Sequence, residues 1–192
     1  MSALPRTSDA GMPRTNSGTV VVWDILTRAF HWSFAACFAG AWLTAESERF
    51  RDVHVNLGYT MLGLIVFRVL WGLVGPKHAR FANFVRGPAA VLKYLRSLLG
   101  PRPEHHLGHN PAGAIAIVLL LVLGLASIAS GWAIYNDLGG EWLEESHEFL
   151  AGAMLAAVGV HLAGVAISSL LHRENLVGAM LTGRKNAPGR RP

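Results

Sequence analysis

The sequence predicts an all-α fold: a four-helix transmembrane bundle running up, down, up and down. Three observations predict it: a large apolar excess, its gathering into four runs of spanning length, and the placement of basic residues on one side of those runs. Hydrophobic types make up 52 % of the 192 residues and charged types 15 %, against about 25 % charged in ordinary soluble domains. The mean hydropathy of +0.35 and the long apolar runs exclude a mainly disordered chain.

The first twenty residues are polar and rich in Pro, Gly, Ser and Thr. They read as a flexible cytoplasmic tail and not as a signal peptide, which needs an apolar stretch. Residues 21–185 then form one domain with spans at about 25–45, 53–74, 111–135 and 149–171, each near the roughly 20 residues that cross a hydrocarbon core. The third carries no ionisable side chain from Ala112 until Tyr135. The others are interrupted by His31, His54, Arg68 and His161. A soluble bundle would need amphipathic stripes, whereas spans three and four are apolar nearly all round. Between spans two and three, residues 88–99 read as an amphipathic helix at the membrane interface, with Lys93 and Arg96 opposite its leucines. Residues 186–192 read as a second flexible cytoplasmic tail.

Orientation follows the basic residues. Four spans put fourteen of the seventeen Lys and Arg on the side of the termini and of the connection between spans two and three. The opposite side has only Arg49 and Arg51, but is rich in acid, including Glu141, Glu144, Glu145 and Glu148. Both termini are therefore expected in the cytoplasm of a multi-pass protein of a bacterial inner membrane. The net charge of +5 is absorbed by this asymmetry and by contact with membrane lipid, so no nucleic-acid partner is expected. The single cysteine, Cys37, excludes an internal disulfide framework, a cluster held by four cysteines of this chain, and a CxxCH haem attachment.

Histidine inside a membrane helix is costly unless it meets a partner or a cavity. In this topology His31 and His161 fall near the cytoplasmic surface, and His54 and His147 near the outer one. His147 and His161 are fourteen residues apart, about 21 Å along a helix and nearly four whole turns, so both project from one face. Zinc asks for three or four ligands at one depth; here the histidines come in twos, far apart. Two stacked imidazole pairs suit two b-type haems, each iron held from two helices. Arg68, fourteen residues after His54, falls at the depth of His161, where a propionate is its natural counter-charge, and Arg28, one turn before His31, serves the same porphyrin.

These residues carry a resemblance. Val22-Trp23-Asp24 leading to Arg28 and His31-Trp32 is followed by His54, Gly58-Tyr59, Arg68 and Trp71-Gly72. Then come Gly108-His109-Asn110-Pro111 with Gly113, His147-Glu148 with His161, and Glu174-Asn175-Leu176-Val177 through Ala179-Met180 to Gly183. In order and spacing the chain resembles the bacterial cytochrome b561 family, in the branch that includes the cytochrome b subunit of nickel–iron hydrogenases. The resemblance implies two heme b groups, held by His31 with His161 and by His54 with His147, and places His109 close to the inner haem or a quinone. It implies electron transfer across the membrane between the quinone pool (ubiquinone or menaquinone) and a periplasmic redox partner, such as a c-type cytochrome or a dehydrogenase subunit. The alternatives it leaves open are a stand-alone superoxide:ubiquinone oxidoreductase, with Arg49 and Arg51 steering the anion, and the cytochrome b subunit of a hydrogenase or other dehydrogenase. His78, His105, His106 and His172 are expected in aqueous or interfacial positions.

Overall fold

Asp24 starts the first helix. Its carboxylate accepts the Thr27 amide at 3.0 Å and the Thr27 hydroxyl at 2.6 Å, satisfying donors that a helix N-terminus leaves free. Asn110 does the same for Gly113 at 2.7 Å, with Pro111 in the first helical position, and Asn175 for Gly178 at 2.7 Å. The computed structural model describes residues 18–98, 100, 104, 106 and 108–186. In chain order they form β1 (Thr19–Val21), α1 (Ile25–Thr44), a 3-10 turn (Glu48–Phe50), α2 (Arg51–Val74), α3 (Phe81–Phe84), α4 (Pro88–Leu98), α5 (Pro111–Tyr135), α6 (Glu141–His172), α7 (Leu176–Thr182) and β2 (Arg184–Asn186).

This corrects the expectation of a simple four-helix transmembrane bundle. Of the seven helices among the described residues, three are long and apolar enough to cross a membrane: α2 with its leading turn, α5 and α6. The first predicted span, α1, has the length, but Arg28, His31, Ser33 and two tryptophans dilute its apolar character. Most of each crossing segment is unburied within the protein, as expected of surface that faces lipid. The protein is therefore a multi-pass membrane protein. At 32 residues, α6 is about 48 Å long, so it outreaches a hydrocarbon core of about 30 Å. Its first turns hold Glu141, Glu144 and Glu145, which the sequence reading placed in a loop.

α1 packs on α2, α5 on α6, and these two hairpins meet along α2 and α5. At mid-length a Cβ on Gly124 would stand 3.2 Å from Phe34, 3.4 Å from Ile65 and 3.6 Å from Met154, so the missing side chain lets α1, α2, α5 and α6 converge there. Ile65 and Met154 are buried. Met154 is seven residues from both His147 and His161, so this apolar waist separates two ends of the molecule.

At one end the first and last described segments are tied together. β1 and β2 pair antiparallel with Val20 opposite Lys185, and the Val22 and Trp23 amides both donate to the Gly183 carbonyl at 2.9 and 3.1 Å. Val22, Trp23 and Ala179 form a buried cluster with Met180 against it. Gly183 turns at φ 80°, and a Cβ there would stand 2.6 Å from the Trp23 carbonyl oxygen, so glycine is required. The Lys185 ammonium and Glu174 carboxylate, both nearly buried, pair at 3.2 Å. Residues 1–17 and 187–192 of the expected tails lie outside the described residues, as does Leu99 of the expected interfacial helix; Thr19, Val20 and Asn186 belong to this clasp.

Candidate functional site

Two histidine pairs lie on either side of the waist. In the pair at the clasp end, the near pair, His31 on α1 and His161 on α6 have ring centres 6.4 Å apart and planes at 53°. In the pair at the opposite end, the far pair, His54 on α2 and His147 on α6 have ring centres 6.2 Å apart and planes at 76°. Both separations are too long for a hydrogen-bonded stack. They match two imidazoles facing one metal across bonds of about 2 Å, which stand with their centres roughly 6 Å apart. Among the described residues no three His, Cys, Asp or Glu side chains gather as a protein-only metal centre.

The far pair is oriented by main chain. His54 Nδ1 lies 2.9 Å from the Ala41 carbonyl oxygen of α1. His147 Nδ1 lies 2.9 Å from the Ser127 carbonyl oxygen of α5 and 3.0 Å from Ser130 Oγ, whose own proton goes to Ser127 O at 2.9 Å. A carbonyl only accepts, so each Nδ1 carries a proton, and in the neutral ring the lone pair is then on Nε2. Gly131 makes room: a Cβ there would stand 2.9 Å from His147 Cε1.

The near pair has no such anchors on His31, whose Nδ1 is buried with no partner. Its ring meets Trp32 edge-on at 5.0 Å, and Trp32 Nε1 reaches the Met180 carbonyl at 3.4 Å. Arg68 is 2 % exposed, its guanidinium 4.6 Å above the Phe81 ring with Nη1 unpartnered. Asp24 also accepts Trp71 Nε1 at 3.1 Å, which fastens α2 to the start of α1. Burial works to raise the Asp24 pKa, but hydrogen bonds from the Thr27 side chain and backbone and from Trp71 outweigh it and hold the group below its ordinary carboxylate value. Arg28 donates Nη1 to the Leu181 carbonyl, leaving Nε buried without a partner.

His109 lies between Trp23 and Phe84, with ring centres 4.5 and 4.4 Å away and Nδ1 unpartnered. Burial first, then Arg68, Lys185, His78 and His161, push its pKa down to about 3, so it is neutral at physiological pH. Of the histidines expected in aqueous or interfacial positions, His106 is packed 5.5 Å from Tyr94 with a buried, unpartnered Nδ1. His78 closes on Gly108, and His105 lies outside the described residues. Sequence reasoning gave Asp24 and Trp71 no role beyond the motifs they belong to, and missed Ser127 and Ser130. The Val-Trp-Asp run and the serines in an otherwise apolar α5 were the available signals.

The family described as prokaryotic cytochrome b561 matches residues 22–183. Relatives include three proteins each named "Probable Ni/Fe-hydrogenase B-type cytochrome subunit". That from Rhizobium leguminosarum bv. viciae is 22 % identical, over 70 % of this chain and 68 % of its own length. The one from Azotobacter chroococcum mcd 1 is 25 % identical, over 74 % and 70 %, and that from Bradyrhizobium diazoefficiens is 22 % identical, over 70 % and 66 %. No solved structure matches the chain.

Proposed function

We propose that this chain, which belongs to the prokaryotic cytochrome b561 family, is the membrane cytochrome b subunit of a dehydrogenase complex of the hydrogenase type, passing electrons to the quinone pool. Membership makes it a helical membrane protein of electron transfer. The names of the relatives favour the subunit reading over a stand-alone superoxide enzyme.

The carrying observation is the repeated imidazole pair: ring centres 6.4 and 6.2 Å apart at two ends of a bundle whose middle is packed. The donor set fits two b haems. His31 with His161, and His54 with His147, supply two neutral nitrogen ligands per iron, the usual complement for a b-type electron carrier with no open position. When bound, haem supplies one-electron iron chemistry; the protein supplies position, dielectric and charge. Buried polar atoms without partners gather at the near end, among them Arg68 Nη1, Arg28 Nε and His109 Nδ1. Buried cationic donors without acceptors call for an anion, and a propionate meets that need. Arg28 does not give it every nitrogen, since the Leu181 carbonyl takes Nη1.

The basic residues of the clasp end favour a cytoplasmic orientation for it, and the pairing of β1 with β2 puts residues 19–21 and 184–186 at that same end. The opposite end presents Glu141, Glu144, Glu145 and Glu148 beside His147, a surface for a basic redox protein of the periplasm, a c-type cytochrome or dehydrogenase subunit. Ubiquinone or menaquinone exchanges electrons from the lipid phase.

The test is haem content per polypeptide and the reduced-minus-oxidised spectrum of purified protein, with His31→Ala and His54→Ala beside it. The expected result is two b haems, each variant losing a different one. One haem would leave a pair as structural; none, with haem supplied during expression, would overturn the reading.

A further inference from the structure

The connection between α2 and α5 is basic along its length. Residues 76–98 hold Lys77, Arg80, Arg86, Lys93 and Arg96 and no Asp or Glu, and all five cations are exposed. Its own structure is slight: α3 has four residues and α4 eleven, both below the length at which a helix holds itself in water. Its polar contacts are local. Asn83 Nδ2 donates to the Lys77 carbonyl at 2.7 Å and Arg86 Nη2 to the Asn83 carbonyl at 3.4 Å, while Lys93 pairs with Glu104 at 3.0 Å. Three aromatic side chains join the segment to the clasp end of the bundle. Phe81 lies against Gly72 of α2, where a Cβ would collide with its ring, and covers the Arg68 guanidinium at 4.6 Å. Phe84 is buried, its ring 4.4 Å from that of His109. Tyr94, 1 % exposed, turns one face of α4 inward beside His106, with ring centres 5.5 Å apart.

With Tyr94 facing the protein, the helical period puts Leu92 and Leu95 on one flank of α4 and Lys93 and Arg96 on the other. The two leucines are 50 and 45 % exposed. A leucine flank beside a cationic flank is the pattern of a helix lying in a membrane interface, with acyl chains under it and headgroups beside it. Five cations with no acid among them select headgroups of negative charge. We propose that the outer face of residues 76–98 binds an anionic phospholipid surface, and that this contact holds Phe81 and Phe84 closed over Arg68 and His109. The charge of the bilayer then sets how well two buried polar groups are kept from water. The inference asks nothing of the histidine pairs, so it stands or falls apart from the haem reading.

The experiment compares the purified full chain, expressed with haem supplied, in nanodiscs of phosphatidylcholine alone and of phosphatidylcholine mixed with phosphatidylglycerol. Amide hydrogen exchange across residues 81–98 is expected to be about tenfold slower in the anionic bilayer. Labelling of His109 by diethyl pyrocarbonate, read from the mass of its peptide, falls with it. Raising the salt concentration screens exposed charges and removes both differences in the unaltered protein, as does Arg86→Gln combined with Arg96→Gln. Phe84→Ala keeps the slow exchange of α4 but leaves His109 open to the label in both bilayers. Equal exchange in the two bilayers would overturn the inference: protection in both would reduce the contact to the leucines, and protection in neither would leave the basic face to an acidic protein. A difference that survives high salt would overturn it as well. Slow exchange in the anionic bilayer with unchanged labelling of His109 would overturn the closure that the inference asserts.

Discussion

The far pair is held by backbone and the near pair by side chains. Ala41 and Ser127 orient His54 and His147 through carbonyl oxygens, which no substitution at those positions removes. His31 relies on Trp32, itself leaning on α7, in surroundings made by Arg68, His109 and a clasp drawn from both ends of the described chain. The difference teaches that one ligand geometry can be built with very different dependence on sequence. The near site should fail first under acid and under damage to the clasp, and the far site under crowding of α5.

Acid gives the largest separation. His109 has its pKa lowered to about 3 in the folded protein, against about 6.5 when unfolded. The unfolded chain therefore binds the extra proton first as pH falls. The stability tied to neutral His109 is complete above about pH 6.5 and is lost progressively towards pH 3, about 3 kcal/mol by pH 4. Thermal unfolding of solubilised protein against pH should show this slope, and His109→Phe, which keeps an aromatic ring between Trp23 and Phe84, should flatten it. An unchanged slope in His109→Phe would move the acid sensitivity elsewhere.

Gly183→Ala comes next. It forces a side chain onto a backbone at φ 80° and within 2.6 Å of the Trp23 carbonyl oxygen, at about 1–3 kcal/mol. A lower melting temperature and faster proteolysis around residues 184–186 are expected, with spectral change confined to the near site. A spectral change at the far site would show that the two ends are not independent. The smallest effect belongs to Gly131→Ala, which presses on His147 Cε1. A tilted ring, at roughly 1 kcal/mol, should, with haem bound as proposed, shift the low-spin resonance of the far site and leave the near one as it was.

Much of this arrangement was legible in the sequence because helices are periodic. The fourteen residues between His147 and His161, and the depths they imply, led to the same two pairings that lie within 6.4 and 6.2 Å. The count of crossing helices was not legible: a run such as 25–45 contains enough alanine and phenylalanine to look apolar, while Arg28, His31 and Ser33 are what take α1 out of the spanning class. The clasp was equally hidden. Thr19–Val21 and Arg184–Asn186 are short, polar and far apart in the chain, so no local pattern announces their pairing. Backbone acceptors leave no mark at all, since Ala41 looks like any other alanine. Arg28 was read as a partner for a propionate; the Leu181 carbonyl that also engages it sits on an element seven residues long, too short to read by period.

The clasp also sets an order of construction. β1 is made before all seven described helices and finds its partner only when Arg184–Asn186 have been made, after all of them. His54 and His147 can meet as soon as α6 has begun to insert, while the end that carries His31 and His161 stays open until residues 184–186 have been made. The sealing of that end is thereby a late event, and a chain truncated before Gly183 would enter the membrane with its near site unsealed.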